Sequence, residues 1–140
     1  MKMLRAIPFA LALIALASSA QAQQTNVVVN VPFNFYAGDV EYPAGQYFLR
    51  SATSNDALIR LDDWTEAHGR HLLSNTCENP LGAKETKLVF RRAGESYFLY
   101  QVWVEGHTDG RQFPVSRTEK LLAMNHDKPE TVIVAANIAR

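Results

Sequence analysis

Cysteine is almost missing from this chain: Cys77 is the only one in 140 residues. An intrachain disulfide is thereby excluded, so a hydrophobic core must hold the fold alone. An excess of either charge is missing too, with 14 Lys and Arg against 14 Asp and Glu, spread without a like-charge block. Such a chain carries no electrostatic footprint for nucleic acid or an anionic membrane surface. It has no G-x-S-x-G elbow of a serine hydrolase, no internal repeat and no low-complexity tract. Long hydrophobic runs are also lacking. The longest, Ile7 to Ala17, is broken by Pro8 and falls short of the about 20 apolar residues of a membrane helix.

That short run has a different meaning. Lys2 and Arg5 precede it, and Ala20-Gln21-Ala22 closes it. A basic start, an apolar stretch and small residues at the end form the layout of a secretory signal peptide. Cleavage is expected after Ala22, which divides the chain into a leader, 1–22, and one domain, 23–140. The working protein then has 118 residues, 12 basic and 14 acidic, a net charge of −2. Gln23 stands where a lipoprotein would need cysteine. Export to the periplasm or beyond is expected, with no membrane span after cleavage.

The rest of the chain reads as short strands. Val27, Val29, Val31, Phe33 and Phe35 occupy alternate positions, the period of a strand with one buried face. Pro32 within it suggests an edge or a bulge, because proline cannot donate to a ladder. Pro43-Ala44-Gly45 and Ser54-Asn55-Asp56 read as turns flanking strands at 46–52 and 57–61. Residues 62–70 read as a polar extended turn with Trp64 as its anchor to the core. A weaker strand follows at 71–77, and Cys77 reads as a small, half-buried apolar residue. The strongest hairpin joins 87–92 to 96–105 through Ala93-Gly94. Its second strand alternates Tyr97, Leu99, Gln101 and Trp103 against Phe98, Tyr100, Val102 and Val104. A strand apolar on both faces is expected at the centre, covered on both sides.

Residues 106–110 read as a turn and 131–135 as the closing strand. Ser116 and Glu119 match a capping box and place one short helix over 116–125. The expected fold is all-β, an antiparallel sandwich or small, partly closed barrel with that helix near the C-terminus. An outer-membrane barrel needs strands of about ten residues each; most strands here are shorter, and Asp62-Asp63, Arg91-Arg92 and Ile138-Ala139-Arg140 do not fit such a series.

Several segments together resemble a group of small exported proteins from environmental Gram-negative bacteria. They are Val31-Pro32-Phe33-Asn34-Phe35, Pro43-Ala44-Gly45-Gln46-Tyr47, Lys87-Leu88-Val89-Phe90, Tyr97-Phe98-Leu99, Gln101-Val102-Trp103, and the stretch Gly110 to Arg117. The resemblance implies export and a compact β-rich domain. It brings over no catalytic or binding residue.

Candidate chemistry is sparse. His68 and His71 lie three apart, with Asp62, Asp63 and Glu66 just upstream. Imidazoles and carboxylates can ligate a divalent metal when four converge, so these two histidines are the candidate metal ligands. Aromatic residues are more telling. Tyr36, Tyr42, Trp64 and Tyr100 could line a groove for a ligand, with Arg111 offering a guanidinium to an anion. No cofactor is implied. The leading expectation is a non-enzymatic envelope or secreted module that binds an envelope protein, a glycan or a small apolar ligand. A small hydrolase or metal-dependent enzyme using His68 and His71 is the alternative from another class. A passive structural component of the envelope is the third.

Overall fold

Alternate burial of Val27, Val29 and Val31 makes β1 (Asn26–Val31), and Pro32 stops it. The computed structural model describes residues 26–53, 57–65, 68–125 and 128–139, so the expected leader lies outside the described residues. So does the turn expected at 54–56. After Pro32 the chain makes a small hairpin, β2 (Phe35–Ala37) and β3 (Val40–Tyr42), turning at Gly38 with φ of 65°. The single strand expected over 27–35 is therefore two. Nor is Pro32 at a sheet edge: β1 lies inside the sheet, and the proline follows its last residue, where no ladder N–H is needed.

The remaining strands are β4 (Gly45–Ser51), β5 (Leu58–Asp63), β6 (Arg70–Leu73), β7 (Asn75–Glu78), β8 (Lys87–Ala93), β9 (Ser96–Trp103), β10 (Asp109–Gln112) and β11 (Glu130–Ala139). One helix, α1 (Arg117–Ala123), falls within the expected span. The strands pair in the order β3-β2-β9-β8-β11-β1-β4-β5-β6. All these pairings are antiparallel except β2 with β9, which meet in parallel at Tyr36 and Phe98. The result is a curled mixed sheet, a half-barrel, and the all-β expectation stands.

Its two ends are tied by one piece of chain. β6 pairs with β5, and β7, one residue further on, pairs with β10, which in turn pairs with β9. Ser74 is the residue between them. Its N–H donates to Ala57 O at 2.8 Å, the last rung on the β5 side. Arg111 then grips the same point from β10. Its Nε donates to Ser74 Oγ at 2.9 Å, Nη2 to Ser74 O at 2.9 Å, and Nη1 to Thr76 Oγ1 at 2.7 Å.

The concave side is filled rather than hollow. Phe35, Phe90, Leu49, Leu61, Leu88, Val29 and Val31 are its most deeply buried side chains. Each such large apolar residue stabilises the fold by about 1.5–3 kcal/mol relative to exposure. Phe33 stacks on Tyr97 with ring centroids 3.8 Å apart, and Phe35 meets Tyr47 and Phe90 edge-on.

β9 is covered on both faces, as expected of a strand apolar on both sides, but its alternation is not simple. The ladder with β8 slips by one residue between Val89 and Phe90: Phe90 faces Leu99, while Val89 faces Gln101. Tyr100 is the extra residue, so the side-chain parity reverses after it. Leu99 and Val102 therefore share the main core, and Trp103 joins a second cluster with Val89 and Ala83. Cys77, half-buried as expected, packs against that second cluster. A loop roofs it: Ala83 N–H donates to His107 O and Gly106 N–H to Ala83 O, each at 2.9 Å. No helix among the described residues is long and apolar enough to cross a membrane.

Candidate binding groove

The helix lies on the convex side of β8, and three contacts fix it there. Ser116 caps it, accepting from the Glu119 N–H at 3.1 Å. Asp39, in the turn between β2 and β3, accepts from both the N–H and the hydroxyl of Thr118, at 3.1 and 2.9 Å. Those donors hold the Asp39 carboxyl below its usual value of 3.8. The Glu119 side chain also takes a hydrogen bond from the Ser116 N–H, the second half of the capping box. It points at the sheet, where Arg91 Nη2 donates to Oε2 at 2.9 Å and Nε stands 2.7 Å from Oε1. The Arg91 guanidinium carbon in turn lies over the Tyr100 ring, 4.0 Å from its centre. Burial pushes the Glu119 carboxyl above 4.5, and Arg91 opposes that rise.

Between helix and sheet a groove opens to solvent, with a volume of about 460 Å³. Its walls are Val115, Ala123, Met124 and Pro129 with Ala93, and its polar groups are Arg91, Glu119 and Lys120. Met124 is 80% exposed. Lys120 has no carboxylate within salt-bridge distance among the described residues.

The residues singled out in the sequence do not gather in one place. Tyr36 stacks on Phe98, with centroids 5.1 Å apart. Tyr42 is buried in the core against Phe35 and Tyr47, and burial raises its phenol. Trp64 is 68% exposed and so does not anchor its loop to the core. Only Tyr100 belongs near the groove, as the platform under Arg91. Arg111 spends its donors on Ser74 and Thr76.

The two candidate metal ligands are also apart in role. His68 Nδ1 lies 3.1 Å from Asp63 Oδ2, and Asp63, which also accepts from Thr65 at 2.8 Å, has a lowered pKa. His71 sits exposed on β6 opposite Arg60. Glu66 lies outside the described residues. Among the described residues no group of three or more His, Cys, Asp or Glu side chains is placed to hold a metal. The neighbouring Asp62 is wholly buried and engaged by Arg50 Nη2 at 2.9 Å and Arg60 Nε at 2.7 Å.

Sequence reading missed the groove itself. Ser116 and Glu119 stood out as a cap, but Arg91, Lys120, Met124 and Pro129 carry no local signature of a common wall. Comparison with protein-family models, curated proteins and solved structures gives no match.

Proposed function

We propose that this protein is a non-enzymatic, exported binding module whose ligand lies in the groove between α1 and β8. The observation that carries the reading is the contrast between a filled concave side and an apolar groove on the convex side. A carrier built on the barrel plan would hold its ligand within the curl, and here Phe35, Phe90 and Leu88 occupy that space. The groove is concave and mostly apolar, with a few convergent polar groups, and its volume lies within the range of about 300–1,000 Å³ typical of small-molecule sites. The leader-like pattern of residues 1–22 supports export.

A neutral apolar dye tests the reading. Nile red is expected to brighten on the purified protein, and Ala123→Trp, which fills the groove, is expected to abolish the signal while the far-UV circular dichroism stays unchanged. Equal brightening of both forms would remove the groove from consideration. Fractionation of the producing cell tests the location; protein retained with its first 22 residues in the cytoplasm would refute export.

A further inference from the structure

We infer that the groove takes a single-chain anionic amphiphile of the fatty-acid type, its alkyl chain lying along Val115, Ala123 and Met124 and its carboxylate meeting Lys120. The inference rests on the groove reading above and adds the chemistry of the occupant.

Charge supplies the first argument. Of the three charged side chains in the lining, Arg91 and Glu119 neutralise each other in a two-point contact. Among the described residues Lys120 has no carboxylate partner, so their charges leave one positive charge beside an apolar wall. An anion is the complement to that arrangement, and a cation would be repelled.

The shape and chemistry of the walls supply the second. Ala93 and Ala123 are small, and the unbranched, polarizable Met124 side chain adapts to what lies against it. Among the described residues no aromatic ring lines the groove, so a sugar lacks the stacking platform it needs. A peptide strand would need a free sheet edge. Here the β8 backbone is already bonded to β9 and β11 on its two sides. An unbranched alkyl chain asks for neither, and each methylene it buries gains favourable transfer free energy.

Isothermal titration of the purified protein with decanoate, decanol and decylammonium, each below its micellar concentration, tests this. Decanoate is expected to bind about two- to fivefold more tightly than decanol, the span of an exposed ion pair, with decylammonium weakest. Lys120→Met keeps the helix and the apolar stem but removes the charge. It is expected to abolish the preference, so that decanoate and decanol bind equally well. Equal binding of all three probes overturns the anionic assignment and leaves the groove reading standing. Binding of none of them overturns both. A decanoate preference that survives in Lys120→Met also overturns the assignment, since the headgroup would then sit elsewhere.

Discussion

Arg111 and Ser74 hold the two ends of the sheet together: the guanidinium donates to both the hydroxyl and the carbonyl of that serine, each at 2.9 Å. Ser74 is where the strand leaves β5 and turns to β10. A planar group with donors in fixed directions suits such a point, because it can satisfy two acceptors at once. Arg111→Ala removes both bonds and the one to Thr76. The expected cost is about 1–3 kcal/mol. It should appear as a lower urea midpoint and faster amide exchange confined to β6 and β7. An unchanged midpoint would show that β5 and β10 hold that strand without the arginine.

Gly110 is fixed by its neighbour rather than by its own backbone. A Cβ there would stand 2.7 Å from Cε3 of Trp103 and 2.9 Å from Val102 O. Gly110→Ala must therefore displace a buried indole, whose Nε1 also donates to Gln101 Oε1 at 3.0 Å. Overpacking of this kind costs about 1–3 kcal/mol. A thermal melt should fall by several degrees, with a changed near-UV band for the indole. A melt matching the parent would mean that the Trp103 ring slides aside freely.

The two carboxylates that clamp α1 respond to pH in opposite senses. Asp39 is lowered in the folded protein, so its contribution is present above 3.8 and is lost as pH falls through its lower folded value. Glu119 is raised, chiefly by burial, so the folded state holds its proton longer than the unfolded chain does. Its contribution is full below 4.5 and is lost as pH rises through the raised folded value. Carboxyl-carbon NMR titration should give the two shifts directly. Glu119→Gln should remove the decline in stability across that window, whereas Asp39→Asn should remove a loss at lower pH. The same slope in both variants would contradict this assignment.

The strands whose alternation is unbroken were readable from the sequence. Val27, Val29 and Val31 mark β1, the Lys87–Glu105 hairpin is present as β8 and β9, and Ser116 caps the helix as its spacing predicts. What failed depended on partners far along the chain. The slip at Tyr100 reverses the faces of Val102 and Trp103, and nothing in the local residues announces it, because the extra residue exists only relative to β8. Asp109 and Gly110 read as the end of a turn, being polar and glycine-bearing, yet pairing with β7 makes them the start of β10. Asp62 reads as the start of a polar turn, and ends up buried in β5, because hydropathy cannot foresee that Arg50 and Arg60 close over it, or that Gly69 packs against its carboxylate. The groove was illegible for the same reason. Its walls come from β8, the segment before α1, the helix itself and Pro129, four pieces that only the fold assembles.

The place of β11 decides when this molecule can exist at all. Asn26 pairs with Ala139, and the last strand lies between β8 and β1, joining the two parts of the sheet on that side. A ribosome releases the N-terminal valines many seconds before their partner, since synthesis runs at about 5–20 residues per second. During that interval β1 lacks one whole flank and β8 lacks another. The fold therefore cannot be completed from its beginning; the final ten residues of the pairing are the keystone, set last.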